Sequence, residues 1–370
     1  MDLGPRRVAP SALGRSEALD GHGPSRGRGG GVLGFSLRSR AGGVPPVPGA
    51  PRPAPALGAG LNEFDVIRKL SGLLPPAPPE VLVPIGDDCA VLEIGGRKWA
   101  AASDMLVSGR HFEGWATPVD VGYKAVAVNV SDVAAMGGTP RFVLVSGAVP
   151  DPETALGVFE GVAEACGEFG VYPIGGDTTG AEALTVDVAI LGELEADPVL
   201  RSGARPGDLL AVTGELGASA AGLLAFEDGV DGFGRLKSRH LRPQPRVEVG
   251  RAAARLGVGA MIDLSDGLAS DVRHVCEKSG VGCSLDLDLL PVSDDTRKLA
   301  TALGRDPLTL AATGGEDYEL LISAPERVLE ILAGSVPVPV TVVGEMRGSG
   351  AEFRRGGQVV GDLSGWDHFV

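Results

Sequence analysis

The sequence predicts a mixed α/β or α+β chain of two domains, on three observations. From Leu61 onward, short apolar runs of strand type alternate with longer stretches whose apolar residues recur at helical spacing. The length of 370 residues, 44% of them hydrophobic, supplies two or three ordinary cores without a disulfide staple. Midway, residues 195–208 break the pattern with Pro, Gly and charge, which sets a boundary between residues 61–196 and residues 197–370.

The elements follow in order. Residues 63–70 place apolar side chains at helical spacing, and Pro75-Pro76 ends that helix. Strand-like runs come at residues 99–102, 141–146, 184–191, 209–213 and 340–343. Between them lie helical patterns at residues 121–136, 153–169, 247–256, 268–278 and 326–332. The strands are too short and too varied for a barrel repeat. Around residues 203–217 the order reads turn, strand, Gly-rich turn, helix, which leaves amides free at a helix N-terminus.

Residues 1–60 stand apart, with eight Arg, no Lys, three acids (Asp2, Glu17, Asp20), 14 Gly and 9 Pro. Without apolar periodicity they read as a disordered extension. They lack the apolar core of a secretory signal, and their Gly and Pro oppose the amphipathic helix of a transit peptide. Lys+Arg 33 against Asp+Glu 48 give the chain −15; the extension carries +5, so the remainder carries −20. Such acidity disfavours a nucleic-acid backbone or an anionic membrane as partner. Phosphate ligands stay open, because a divalent cation can stand between two sets of negative charges. The four cysteines (Cys89, Cys166, Cys276, Cys283) form no C-x-x-C pair and have no histidine at zinc spacing. No run of 18 apolar residues appears. A cytoplasmic protein with reduced thiols fits these features.

Two small themes recur. Ser-Asp stands at Ser103-Asp104, Ser131-Asp132 and Ser265-Asp266, and a Gly-then-acid turn at Gly86-Asp87-Asp88, Gly175-Gly176-Asp177 and Gly314-Gly315-Glu316-Asp317. Each alone is an ordinary surface turn. Each also adjoins an apolar segment, where an unpaired carboxylate is costly unless it coordinates a metal. Asp104 and Asp132 sit in apolar runs without a basic neighbour, and Asp263 and Asp266 lie three apart around a turn. Oxygen ligands of this kind suit Mg²⁺, held by one or two carboxylates plus substrate phosphates. The competing reading is a helix cap, with Ser265 or Asp266 capping a helix that starts near Leu268. Several motifs are missing: G-x-x-x-x-G-K-[ST], G-x-G-x-x-G, H-R-D with D-F-G, and G-x-S-x-G. A P-loop NTPase, a Rossmann dehydrogenase, a protein kinase and the usual serine hydrolase are thereby disfavoured.

Taken in order, the motifs become a signature. Gly86-Asp87-Asp88-Cys89-Ala90, Ser103-Asp104 with Gly109-Arg110-His111-Phe112, and the run from Asn129 to Gly137 come first. Gly175-Gly176-Asp177-Thr178, the run from Ile262 to Leu268, the run from Thr313 to Leu321 and Gly365-Trp366-Asp367-His368-Phe369 complete it. This resembles the thiamine-monophosphate kinases, members of the aminoimidazole ribonucleotide synthetase-like ATP-binding superfamily, over residues 61–370.

The resemblance implies an N-terminal α/β domain that pairs into a barrel across a homodimer, and a C-terminal α+β domain. It implies ATP and several Mg²⁺ ions, with direct transfer of the γ-phosphoryl group to thiamine monophosphate and no phospho-enzyme. Carried over by position, the metal set is Asp88, Ser103, Asp104, Asp132, Asp177, Asp263 and Asp266. Phe159, Gly176, Asp177, Arg201 and Ser265 match ATP-contacting positions, with Phe159 standing where the family commonly has Tyr. His111, Glu316 and Trp366 match positions that face thiamine phosphate, where Trp366 offers a stacking face for the cationic rings. His240 and His274 read as surface residues, and Met136 and Cys89 as core. The alternatives are another enzyme of the superfamily, such as aminoimidazole ribonucleotide synthetase or selenophosphate synthetase, or a non-catalytic nucleotide-binding homologue. The region before Gly86 lacks the reactive Cys of a selenophosphate synthetase.

Overall fold

The computed structural model describes residues 63–361, 363 and 365. The extension at residues 1–60 and Trp366 lie outside the described residues. In the first half, α1 (Glu63–Ser71) precedes β1 (Val81–Val83), β2 (Ala90–Ile94) and β3 (Arg97–Val107). Then come α2 (Pro118–Ala135), β4 (Thr139–Val149), α3 (Pro152–Phe169), β5 (Tyr172–Gly180) and β6 (Thr185–Leu194). The second half runs β7 (Leu209–Thr213), α4 (Ala218–Glu227), α5 (Gly234–Leu241), α6 (Val247–Leu256), β8 (Ala260–Asp263), α7 (Leu268–Ser279) and β9 (Gly282–Asp286). After a short turn of 3-10 helix it continues with α8 (Asp294–Ala302), α9 (Pro307–Thr313), β10 (Leu320–Ala324), α10 (Glu326–Ser335), β11 (Val340–Arg347), β12 (Ala351–Arg355) and β13 (Gln358–Val359).

Among the described residues, the first half forms one sheet in the order β1-β2-β3-β6-β4-β5, antiparallel except where β4 meets β5. Strand β6 shows why it has two unlike faces: Val186, Val188 and Ile190 alternate with more accessible residues and join the core built with α2. The opposite face keeps large apolar side chains in the open. Met105, Leu144 and Ile174 are 51%, 45% and 52% exposed, and Trp99 stacks on Phe142 at 6.1 Å.

Helix α2 is the pivot. Thr117 and Asp120 close a reciprocal capping box with Pro118 in the first turn, and nearly every residue from Val121 to Ala135 is buried. A helix apolar all round belongs inside a protein, here between the sheet, α3 and the second half. Its contact with α3 is glycine-to-backbone in both directions. A Cβ on Gly122 would lie 1.9 Å from the Val158 carbonyl oxygen, and one on Gly161 would lie 1.8 Å from that of Val119.

The second sheet runs β13-β12-β9-β11-β7-β10-β8 and is covered on both faces. Val212, Ile262 and Leu321 pack with Leu268, Val272 and Ala312 of α7 and α9. Ala211, Met261 and Ile322 pack with Val249, Ala253 and Leu329 of α6 and α10, and Ala135 at the end of α2 joins that second core. The strands of the two sheets fall on either side of residues 195–208, and the described residues form one compact unit.

The predicted elements at 209–213 and 247–256 coincide with β7 and α6, whereas those at 99–102, 141–146 and 340–343 extend into longer strands. Gly175-Gly176-Asp177 is not the predicted turn but lies within β5. Both glycines have φ near the mirror-image extended region (152° and 154°), and a Cβ on Gly176 would sit 1.7 Å from the Val145 carbonyl oxygen. Close approach of β4, not chain reversal, requires glycine there. Among the described residues, no helix is long and apolar enough to cross a membrane.

Candidate active site

A cleft of about 1400 Å³ is lined by residues of both halves. The loop before β2, strand β3, helix α2, strand β8 and the segment before β10 each bring polar side chains to it.

At its centre lie Asp88, Asp132 and Asp263, each offering a carboxylate oxygen within 4.8 Å of the others. Asp132 comes from α2, Asp263 from the end of β8, and Ser131 Oγ donates to Asp263 Oδ2 at 2.6 Å, tying those two elements together. Three carboxylates this close repel one another. Burial pushes the Asp132 carboxyl well up, and Asp104 and Asp263 push it further. Burial and then Asp88 raise Asp263 to about 8, with Ser131 and Arg201 opposing. Burial also raises Asp88, against the pull of Arg201, whose Nε and Nη2 donate to Oδ1 at 3.2 and 2.6 Å. Asp88 Oδ2 remains buried without a hydrogen-bond partner. A hard divalent cation with oxygen ligands fits this donor set, since it relieves both the repulsion and the orphaned oxygen.

A second group, Asp266, Asp271 and His274, brings one ligand atom of each within 4.8 Å of the others around the start of α7. Asp271 accepts from the Gly267 N–H at 3.0 Å, and burial followed by Asp266 pushes its carboxyl well up. Asp87 and Asp271 were not legible as site residues in the sequence. Asp87 holds the Arg201 N–H at 3.1 Å, and its carboxyl rises to about 6 through burial and then Asp88. His274 lines the cleft and His240 is 2% exposed, which corrects the surface reading of both. Each lies on the inward side of a helix whose facing the sequence did not reveal.

Towards the other end, His111, Trp115, His240 and Glu316 share the lining. The Val107 N–H donates to His111 Nδ1 at 3.0 Å, which leaves the neutral ring its proton on Nε2. Trp115 stacks on Phe226 at 4.6 Å and 12°, and its ring centroid lies 5.2 Å from that of His240. Burial drives His240 down to about 3, Lys124 adding to the effect, so its ring is neutral.

The structure thus brings together Asp88, Asp104, Asp132, Asp263, Asp266, Arg201, Ser265, His111 and Glu316 around one cleft. Ser103 lines it too, with Oγ donating to Asp187 at 2.9 Å. Three predicted residues lie elsewhere. Gly176 and Asp177 occupy β5, three strands from β3 and about 14 Å away at ordinary strand spacing. Phe159 is 39% exposed on α3.

The chain matches AIR synthase related protein, N-terminal domain, over residues 86–194 and AIR synthase related protein, C-terminal domain, over residues 205–356. It is 39% identical over 316 residues to the thiamine-monophosphate kinase of Mycobacterium tuberculosis, covering 84% of this chain and 92% of the relative. The enzyme of Escherichia coli O157:H7 is 40% identical over 325 residues, covering 84% and 98%. A solved structure of AaThiL complexed with AMPPCP and TMP superposes with a TM-score of 0.74 at 32% identity, over 83% of this chain and 97% of that one. The hydrogenase maturation protein HypE in complex with ATP, at 19% identity and a TM-score of 0.62 over 81% of this chain and 90% of that one, shares the fold alone. With a carboxylate-lined cleft between two matched domains and relatives of this closeness over most of its length, the chain belongs to the thiamine-monophosphate kinase family of AIR synthase related proteins.

Proposed function

We propose that the protein transfers the γ-phosphoryl group of ATP to thiamine monophosphate, giving thiamine diphosphate and ADP. The observation that carries this reading is the placing of the Asp88–Asp132–Asp263 cluster and Arg201 in one cleft with His111 and Glu316, in a chain about 40% identical to thiamine-monophosphate kinases. The solved relative that holds AMPPCP and TMP supports the same pair of substrates.

Phosphoryl transfer asks for positioning and charge neutralisation more than for covalent chemistry. Magnesium ions, when bound, neutralise the phosphate oxygens and stabilise charge on the transferring group. Asp88, Ser103, Asp104, Asp132, Asp263 and Asp266 are the residues we assign to hold them, with Arg201 and Ser265 meeting the nucleotide. The acceptor oxygen belongs to a phosphate already ionised at neutral pH, so no side chain need remove its proton. Cys89 offers no nucleophile: burial and then Asp132 push its thiol well up, which keeps it protonated. His111 and Glu316 are assigned to the acceptor.

We assign the residues before and after the 196/197 boundary to separate domains, and the active protein to a homodimer in the cytoplasm. Met105, Leu144, Tyr172 and Ile174 leave one face of the first sheet apolar and open, which supports a second copy covering it. The same pairing accounts for Gly176 and Asp177, which lie on the edge strand β5 outside the cleft of their own chain and would complete that of a second copy; Phe159 stands on α3, on the covered side of the sheet, and is not reached this way. The test is acceptor dependence. ADP release in Mg²⁺-ATP should require thiamine monophosphate, and release at the same rate without an acceptor contradicts the reading.

A further inference from the structure

Lys124 is a buried cation beside the acceptor end of the cleft, and the phosphoryl-transfer chemistry leaves it without a task. It stands within α2 among apolar neighbours, with its side chain 3% exposed. A buried ammonium is costly unless paired, and the acid nearest to it on its own helix, Asp120 four residues earlier, is taken by Arg242 Nε at 3.0 Å. The counter-charge comes from the segment before β10, where Glu316 Oε1 lies 2.8 Å from Lys124 Nζ. The other carboxylate oxygen, Oε2, lies 3.2 Å from Nδ1 of His240 on α5. Glu316 therefore lies between side chains of two helices, held by an ion pair with Lys124 rather than by an aligned hydrogen bond.

The backbone around it is held just as firmly. Glu316 and Tyr318 have φ of 64° and 49°, left-handed values that side-chain-bearing residues adopt only where their surroundings impose them. The Glu316 N–H donates to the Ser265 carbonyl at 2.7 Å and the Tyr318 N–H to that of Leu264 at 2.9 Å. Burial raises the Glu316 carboxyl, but the charge of Lys124 leads the opposing effects, so it stays below its ordinary range and ionised. The side chain of Glu316 is still 23% exposed and lines the cleft beside His111 and Trp115, whereas Lys124 is absent from the cleft lining.

We infer that Lys124 is a positioning residue for acceptor recognition: it fixes the Glu316 carboxylate in one orientation for the ring system of the acceptor and does not itself touch the acceptor. This rests on the reading of the His111–Glu316 end as the acceptor site. A lysine that served only the fold would, on change to Met, cost stability by leaving the Glu316 carboxylate unpaired, but it would not raise the acceptor KM relative to that for ATP.

The experiment compares wild type, Lys124→Met, Lys124→Arg, Glu316→Gln and the double variant Lys124→Met/Glu316→Gln, using steady-state kinetics and thermal unfolding of the full chain. The KM for thiamine monophosphate should rise about tenfold or more in Lys124→Met, while the KM for ATP stays within about twofold. Lys124→Arg, which keeps the charge, should recover part of the loss. The double variant should bind the acceptor no worse than Glu316→Gln alone, because Lys124 acts through Glu316. Full additivity in the double variant, an unchanged acceptor KM in Lys124→Met, or equal rises in both KM values overturns the inference. Should Lys124→Met not fold, Lys124→Arg carries the comparison: wild-type affinity for the acceptor together with a weakened affinity for ATP overturns it equally. Turnover of thiamine monophosphate by the wild type tests the underlying functional reading, and only the ratios among variants test Lys124.

Discussion

The Arg201 guanidinium closes on a single oxygen of Asp88, at 3.2 Å from Nε and 2.6 Å from Nη2, and leaves the other oxygen of that carboxylate buried without a partner. Arg201 is itself anchored at both ends of its peptide unit. Its N–H donates to Asp87, and its carbonyl accepts from Ser279 Oγ at 3.1 Å. The arginine thus supplies part of the positive charge the aspartate cluster needs and leaves ligand sites open for cations.

Arg201→Ala should therefore do two separable things. Loss of a partner from a largely buried pair should lower stability without divalent cations by on the order of 1–3 kcal/mol, and saturating Mg²⁺ should restore part of it. The KM for ATP should rise at least about tenfold. Thermal unfolding with and without MgCl₂, together with ATP titrations, checks both; an unchanged unfolding temperature in EDTA contradicts the counter-ion role.

The pH dependence of the metal-free protein follows from Asp263. Its carboxyl sits at about 8 against an ordinary 3.8, through burial and then Asp88. The folded chain thus binds this proton more tightly than the unfolded chain, so the associated stability is full at low pH and is lost as pH rises through about 8. His240 and His274, held at about 3 and about 4 by burial, act in the opposite sense, and only below their ordinary 6.5. Between about pH 6.5 and about pH 8 the unfolding temperature in EDTA should fall, and Mg²⁺ should flatten the slope. Asp263→Asn should make the slope shallower, the raised Asp132 and Asp271 carboxyls keeping part of it; an unchanged slope in that variant would assign it wholly to those groups.

Gly122→Ala places a methyl group where the Val158 carbonyl oxygen stands 1.9 Å away, so α2 and α3 must separate. The expected cost is about 2–4 kcal/mol by denaturant titration, despite the better helix propensity of Ala. A change below about 0.5 kcal/mol would show that the two helices are not as close as described.

Ile174→Asp, on the open apolar face, should convert a dimer to a monomer in sedimentation velocity and abolish turnover while leaving the fold intact. A monomeric variant with full activity would mean that one chain completes its own site, and that Asp177 has no part in it.

Much of the fold was legible where local pattern and tertiary role agree. Helix α2 announces itself because it is apolar nearly all round, and α6 because Gly257 stops it with φ 67°. Strands β8 and β10 went unread, since three or four buried apolar residues carry no periodicity of their own. The carboxylates were legible one by one, but the sequence did not say which would be neighbours. Asp88, Asp132 and Asp263 meet only because α2 crosses between the sheets, while Asp177 is carried off to the edge by β5. Asp87 was hidden beside Asp88, and Asp271 beside the more conspicuous Ser265-Asp266. Lys124 left little signal, because Asp120 four residues earlier on the same helix offers a local acid and hides the need for Glu316.

The central claim is direct transfer to thiamine monophosphate, and the measurement that meets it most squarely follows the label from γ-³²P-ATP. With Mg²⁺ and thiamine monophosphate present, the label should appear in thiamine diphosphate in step with ADP, should vanish in EDTA, and should never reside on acid-quenched protein. Label recovered as inorganic phosphate, or bound to the protein, with no labelled thiamine diphosphate would contradict it.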